Sequence, residues 1–179
     1  MTLYDDAVDV LTHWQAPTEE QELVRAAYVT HLRMHPDGLW RSCFPDHLTA
    51  GALVLSHDRT HVLLNLHRKA RRWFHFGGHL EDDASLAGAA LRETTEESGL
   101  AGLQLGAEPL HLSRHPVEFC SPRGTVRHLD VRFLAVAAAD VEPVASPESL
   151  DVRWWPVDDL PTDAPDMVEM IRLATAPDS

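Results

Sequence analysis

Residues 78–100 of the chain read GHLEDDASLAGAALRETTEESGL and carry most of the functional information in the sequence. The second half of this stretch predicts a helix from about Ala84 to Ser98, because Gly99 is well placed as the left-handed residue that follows a helix end. The stretch begins at a pair of glycines, 77–78, where we predict a turn.

Three carboxylates, those of Glu93, Glu96 and Glu97, stand at positions i, i+3 and i+4 of the predicted helix. They emerge on one face, where like charges destabilise a helix by roughly 0.2–0.5 kcal/mol per pair. Arg92 reaches Glu96 at i+4 but cannot neutralise all three. One interpretation is a solvated acidic surface. The other is a Mg²⁺ site, since Mg²⁺ takes carboxylates together with phosphate oxygens of a substrate.

The same residues resemble the Nudix box, whose pattern is Gly, five residues, Glu, seven residues, and then Arg-Glu-apolar-any-Glu-Glu-any-Gly-apolar. Seven of its nine defined positions agree in this chain, namely Gly78, Arg92, Glu93, Glu96, Glu97, Gly99 and Leu100. The remaining two positions differ. Ala84 stands where the family has its first Glu, and Thr94 stands where it has an apolar residue.

These two departures concern the support of the site more than its ligands. The loss of a carboxylate at Ala84 weakens the expected support of the preceding loop. The methyl group of Thr94 can still pack on the sheet, and its hydroxyl can donate to the carbonyl four residues earlier.

The resemblance implies a role for each matching residue. Glu96 and Glu97 are expected to bind a divalent metal together with the carbonyl of Gly77. Glu93 is expected to be a third ligand or the base that deprotonates the attacking water, and Arg92 to orient a carboxylate of the box. The implied cofactor is Mg²⁺, with Mn²⁺ as the alternative.

A further acidic candidate follows the box at a distance. Residues 148–161, ESLDVRWWPVDDLP, resemble the closing strand and short helix of the family. Some members use an acidic residue in this region as an additional metal ligand or base, and Glu148 takes that place here. An exposed loop glutamate without such a role is the alternative.

Substrate contacts are expected from residues on either side of the glycine pair. Arg68 and Arg72 belong to the basic loop 67–72, which can guide phosphates into an acidic site. A loop that only keeps the hairpin soluble is the alternative. His79 and His128 are further candidates for substrate contact, and structural hydrogen bonds are their alternative role.

Charge restricts the partners. The chain has 28 acidic and 15 basic residues and a formal net charge of −13. A duplex nucleic-acid binder needs a basic surface, and so does a protein that docks on an anionic membrane. We therefore expect a small-molecule, nucleotide-like substrate, no duplex nucleic acid and no membrane as partners, with a homodimer left open.

Cysteine usage and the N-terminal residues favour a cytoplasmic protein. Cys43 and Cys120 lie far apart and are expected to be free thiols in a reducing compartment. The chain has 12 histidines, but none shows a zinc-ligand spacing with a cysteine. No signal peptide or membrane span is predicted.

Hydrophobic periodicity and turn signals predict an α/β fold. Thr18 and Gln21 form a capping-box pattern before a second helix. Besides the box helix, helices are predicted over residues 3–14, 18–34 and 166–174. Strands are predicted over 48–55 and 61–66, joined as a hairpin, and over 128–137 and 152–157.

The order of these elements indicates an α/β/α sandwich with a mixed sheet and an N-terminal helical extension. Residues 1–45 are predicted to form the extension, and residues 46–179 the Nudix hydrolase domain. In the strand over 128–137, His128, Asp130 and Arg132 alternate with apolar residues. That alternation predicts one exposed face.

The expected activity is metal-dependent hydrolysis of a diphosphate linkage in a nucleoside diphosphate linked to another moiety, by attack of water at phosphorus. A Nudix-like binding module without hydrolysis is a rival hypothesis, against which the three glutamates speak. Isopentenyl diphosphate isomerase is a second rival, but residues 74–79 lack the cysteine that it needs.

Overall fold

Eight strands and four helices form the secondary structure of residues 1–118 and 120–176, which the computed structural model describes. The helices are α1 (Leu3–His13), α2 (Glu19–Met34), α3 (Leu86–Ser98) and α4 (Pro165–Ala174). The strands are β1 (Asp46–Leu55), β2 (His61–His67), β3 (Trp73–Phe74), β4 (Phe76–His79), β5 (Gln104–Leu105), β6 (His111–Val117), β7 (Val126–Val136) and β8 (Ser149–Pro156). Every predicted helix and strand is present, while β3 to β6 were not predicted.

The strands form one mixed sheet around β1. β1 runs parallel to β7 over its whole length and pairs antiparallel with β2 at one end, as the predicted hairpin requires. The other end of the same edge pairs with β4, from Thr49↔His79 to Ala52↔Phe76. β8 lies beside β2, and β5 and β6 lie beside β7.

Helices cover both faces of this sheet. Ala50, Ala52 and Val54 of β1 pack in one cluster with residues of α1, α2 and α3, whereas Leu53 and Leu55 pack in a second cluster with α4. This alternation along β1 is the period of two expected of a strand. The predicted α/β/α arrangement with a mixed sheet is therefore confirmed.

The N-terminal helices pack directly against the sheet. Thr18 accepts a hydrogen bond from the Gln21 N–H at 3.2 Å, as the capping pattern predicts. A capping box also implies that the Gln21 side chain accepts from the Thr18 N–H, and this expectation is wrong. The Gln21 side-chain amide instead donates to the Leu112 carbonyl of β6 at 2.9 Å and accepts from the Leu112 N–H at 2.7 Å. This exchange fixes α2 to the edge of the sheet. None of the helices among the described residues is long and apolar enough to cross a membrane.

The prediction that one face of β7 is exposed is wrong. Asp130 and Arg132 are 4% and 3% exposed. The strand has neighbours on both sides and helical layers on both faces, so its polar positions are buried with its apolar ones.

The predicted turn at residues 77–78 is also wrong, since both glycines lie in β4. Gly77 pairs with Gly51 of β1. A Cβ atom at Gly51 would lie 2.1 Å from the carbonyl oxygen of Phe76 and 2.7 Å from the Cα of Gly77. Glycine is needed here because the two backbones approach closely.

We predict that Gly51→Ala destabilises the protein by about 3 kcal/mol, the upper end of the usual cost of overpacking, because its methyl group would meet backbone atoms that cannot rotate away. Gly106→Ala is the matched control, since its Cβ would have no neighbour closer than 3.5 Å. That variant should change the free energy of unfolding by less than about 1 kcal/mol. Urea denaturation measures both, and equal losses would refute the role of the close approach.

Candidate active site

Helix α3 carries the three glutamates of the box. Ser85 caps it by accepting a hydrogen bond from the Gly88 N–H at 3.0 Å, which is why the helix begins two residues after the predicted start. Gly99 ends it with a φ of 69°, as predicted. The helix buries Glu97, which is 9% exposed, and leaves the side chain of Glu96 62% exposed.

Two of the glutamates meet the backbone of β4. The Gly77 N–H donates to Glu97 Oε2 at 3.1 Å. A Cβ atom at Gly78 would lie 2.5 Å from Glu93 Oε2. The glycine pair therefore lets a helix bearing carboxylates lie directly against a strand.

Arg92 connects the helix to the loop that precedes it. Its Nη1 donates to Glu93 Oε1 at 2.9 Å, and its Nη2 donates to the His79 carbonyl at 3.1 Å. The Arg92 guanidinium also lies 3.6 Å from Glu96. The structure thus places Arg92 where it can orient the Glu93 carboxylate.

Asp83 places a carboxylate one residue before Ala84, where the box lacks its first glutamate. Both of its oxygens accept from Arg92, at 2.9 Å each, while Ala84 is exposed. These hydrogen bonds raise the pKa of Arg92 and lower that of Asp83. The loop over 81–83 is consequently tied to α3 one residue earlier than the motif predicts.

Thr94 faces the sheet, as expected, and is fully buried. The expected hydrogen bond of its hydroxyl to the carbonyl four residues earlier is wrong, because Thr94 Oγ1 has no partner. Its own carbonyl accepts from Ser98 Oγ at 2.6 Å.

The electrostatics of the site suit a hard cation. Burial, together with the charges of Glu93, Glu148 and Glu96, raises the pKa of Glu97 to about 7, although the hydrogen bond from the Gly77 N–H opposes that shift. Burial also raises the pKa of Glu93, although Arg92 opposes that shift. The Glu97 carboxylate is therefore repelled by those of Glu93, Glu96 and Glu148.

Glu148 reaches this site from the far end of the chain. The Arg68 N–H donates to the Glu148 carbonyl at 2.9 Å, and the Arg68 guanidinium donates to the carbonyls of Pro147 and Ser149 at 2.8 and 3.2 Å. Arg68 thus fixes the loop that carries Glu148, whereas Arg72 is exposed at the end of the basic turn.

The model of the NUDIX domain family matches residues 45–174, well over half of the chain. The chain belongs to the Nudix family. The expectation of a Nudix-type pyrophosphohydrolase is confirmed by this match. No curated protein matches the sequence significantly.

Solved Nudix structures share the fold at low identity. A hydrolase from Clostridium perfringens is 23% identical, with a TM-score of 0.53, and the match covers 72% of this chain and 93% of that one. An Ap4A hydrolase from C. elegans is 19% identical, with a TM-score of 0.56 and coverage of 70% and 93%. The NUDIX domain of NrtR from Shewanella oneidensis, solved with ADP ribose, is 24% identical, with a TM-score of 0.52 and coverage of 71% and 83%.

The side chain of His79 in this Nudix chain lies against Cys120 and His47. Its Nε2 lies 3.2 Å from Cys120 Sγ, and its ring stacks on His47 with centroids 5.2 Å apart. Burial lowers the pKa of His79 to about 4, so its imidazole is neutral at pH 7. Sequence reasoning missed Cys120 and His47, since both are far from the box in the chain.

A buried polar network below α4 was also missed. Asp130 accepts from Thr49 Oγ1 at 3.0 Å, from His75 Nε2 at 3.1 Å and from Arg132 Nε at 2.8 Å. Arg132 also donates to Asp166 at 2.9 Å. Burial opposes ionisation of Asp130, yet Arg132 and His75 hold its pKa well below the usual range. The sequence signal for this network was the alternation of charged and apolar residues in β7. It was interpreted as an exposed face, because the sequence does not show that both faces of the strand are covered.

We predict that Asp83→Asn destabilises the protein by about 1–3 kcal/mol, the usual cost of removing one partner from partly buried charged hydrogen bonds. Asp82→Asn is the control, because Asp82 is exposed and adjacent. It should change the free energy of unfolding by less than about 0.5 kcal/mol. Urea unfolding of both variants decides whether Asp83 replaces the missing glutamate, and equal effects would show that it does not.

Proposed function

We propose that this Nudix enzyme hydrolyses a diphosphate linkage in a nucleoside diphosphate linked to another moiety, by attack of water at phosphorus, and that it requires Mg²⁺, with Mn²⁺ as the alternative. The observation that carries the proposal is Glu97, a buried carboxylate that accepts from the β4 backbone and is repelled by the charges of Glu93, Glu96 and Glu148.

The donor set fits a hard divalent cation. Glu96 and Glu97 would hold it, with the carbonyl of Gly77 beside them, because carboxylate and carbonyl oxygens are the ligands that Mg²⁺ prefers. Among the described residues, no three carboxylates of the box have oxygens that all lie within 4.8 Å of one another. When bound, the metal lowers the pKa of a water ligand and neutralises charge on the diphosphate.

The remaining side chains supply proton transfer and orientation. Glu93 is the candidate base or third ligand, and Arg92 holds its carboxylate at 2.9 Å. Glu148 is the candidate additional ligand or base. Arg68 positions Glu148 through the carbonyls of the 147–149 loop, in addition to the expected contact with phosphates.

The acidic surface supports a small substrate. A net charge of −13 disfavours duplex nucleic acid and anionic membranes, so phosphates would enter where Arg68 and Arg72 lower the local repulsion. The organic moieties of the substrate are best found by testing, because fold does not fix substrate. The neighbours named for Ap4A and ADP ribose supply two of the compounds to test.

We predict divalent-metal-dependent phosphate release or diphosphate cleavage in a panel of nucleoside triphosphates, ADP-ribose, dinucleoside polyphosphates and NADH. Activity should appear with Mg²⁺ or Mn²⁺ and disappear with EDTA, because the carboxylates cannot lie beside a diphosphate without a cation between them. Product analysis by chromatography identifies the bond that breaks. Full turnover by exhaustively chelated enzyme would refute the metal requirement.

We predict that Glu93→Gln lowers kcat by roughly 10²–10⁴-fold, the usual range for losing a positioned proton-transfer group. KM should change much less, since other loops hold the substrate. Steady-state kinetics on the best substrate of the panel measures both.

Glu81→Gln is the matched control, because the exposed Glu81 carboxylate also acts on the pKa of Glu93. This substitution removes a nearby charge without removing the candidate base. It should lower kcat by about tenfold or less, below the range for a proton-transfer group. Near wild-type kcat in both variants would exclude the box glutamates from the chemistry.

A further inference from the structure

Four side chains outside the carboxylate site converge on one point at the end of β4. They are His47 of β1, His79 of β4, His128 of β7 and Cys120, which follows β6. Their ligand atoms all lie within 4.8 Å of one another. No carboxylate belongs to this group, so its donor set differs from that of the box.

The distances fit a tetrahedral metal centre. Cys120 Sγ lies 3.2 Å from His79 Nε2, 3.4 Å from His128 Nε2 and 3.9 Å from His47 Nε2. With Zn–S near 2.3 Å and Zn–N near 2.0–2.1 Å, a tetrahedron has nitrogen-to-sulfur edges of about 3.5 Å. The three observed distances bracket that value without an ion between the atoms.

The orientation of His47 fits the same arrangement. Its Nδ1 lies 3.3 Å from the Cys43 carbonyl, which can only accept a hydrogen bond. Nδ1 therefore carries the proton, and Nε2 presents its lone pair toward Cys120. A backbone carbonyl on the second nitrogen is the usual way in which a protein fixes a histidine ligand.

Burial and packing hold the ligands in place. His47 is fully buried and Cys120 is 6% exposed. The rings of His47, His79 and His128 lie with centroids 5.0–5.2 Å apart. Little rearrangement is needed for the four atoms to close around an ion.

We propose that His47, His79, Cys120 and His128 form a structural Zn²⁺ site, separate from the carboxylate site. One thiolate and three imidazoles are borderline-soft ligands, which favour Zn²⁺ over Mg²⁺ or Mn²⁺. Four protein ligands fill a tetrahedral centre and leave no position for water or substrate, which is typical of structural zinc. The ion ties the segment after β6 to β1, β4 and β7.

The proposal gives His79 a role different from substrate binding. Its side chain binds the zinc, while its carbonyl accepts from Arg92 at 3.1 Å. The proposal does not depend on the hydrolytic activity, because its ligands are not those of the carboxylate site.

The first test is the metal content of the untagged full chain, purified without chelator and measured by mass spectrometry. Wild-type protein should hold about one Zn²⁺ per chain, which is the stoichiometry of a site with four protein ligands. In Cys120→Ser the zinc content per chain should be at least tenfold lower. Cys43→Ser is the matched control, since it removes the other buried thiol and keeps the carbonyl that orients His47; it should retain the zinc.

A second test uses Co²⁺ as a spectroscopic probe. Apoprotein titrated with Co²⁺ should develop the intense visible bands of tetrahedral cobalt and a thiolate-to-cobalt charge-transfer band in the near ultraviolet, saturating at one equivalent. The charge-transfer band should vanish in Cys120→Ser and persist in Cys43→Ser. One equivalent of Zn²⁺ should bleach the cobalt spectrum and raise the melting temperature of the wild-type apoprotein, whereas Mg²⁺ should do neither.

Two further variants keep the test decisive if Cys120→Ser fails to fold. His128→Gln removes a partly exposed ligand and should weaken Co²⁺ binding, while Glu97→Gln, in the carboxylate site, should leave the zinc content unchanged. A folded wild-type protein that takes up neither Zn²⁺ nor Co²⁺ in stoichiometric amount would overturn the proposal. Uptake that survives both Cys120→Ser and His128→Gln would overturn it as well.

Discussion

The backbones of β1 and β4 approach so closely at Gly51 and Gly77 that a side chain on Gly51 would lie 2.1 Å from a carbonyl oxygen. Through this contact β4 pairs with β1 in the middle of the sheet. The Gly77 N–H then meets Glu97 at 3.1 Å, and Gly78 leaves room for the Glu93 carboxylate. The contacts of Glu93 and Glu97 with the sheet are therefore made at the strand that this approach places beside β1.

The carboxylates beside β4 repel one another, and the protein retains them at a cost in stability. Burial and neighbouring charges raise the pKa of Glu97 to about 7, which indicates that its ionised form is disfavoured in the protein without a cation. Arg92 offsets part of the repulsion while it is itself held by Asp83 at 2.9 Å. A cluster that is unfavourable alone and favourable around a cation is typical of a functional site. The strain between like charges thus supports the metal-dependent chemistry proposed for this enzyme.

The sequence predicted most of the helices and long strands, because their periodicity and caps are local. It also predicted which glutamates share a face, since helical spacing fixes that. It failed where the outcome depends on distant segments. Gly77 looks like a turn residue until β1 lies beside it, and Asp130 looks solvent-facing until both faces of β7 are covered. Cys120 showed no zinc spacing because its histidine neighbours come from β1, β4 and β7, and only the sheet brings them together.

The two candidate metal sites meet at His79. Its imidazole faces Cys120, and its carbonyl accepts from the Arg92 guanidinium that holds Glu93 at 2.9 Å. Hard oxygen ligands and borderline-soft nitrogen and sulfur ligands select different metals, so the two sites can be filled independently. Catalytic groups must be held within about 0.5 Å of a productive geometry, and residues outside the first layer of contacts provide that restraint. An ion bound to His79 would restrain β4 at the point from which Arg92 is positioned, and so would contribute to the orientation of Glu93 without contacting the substrate.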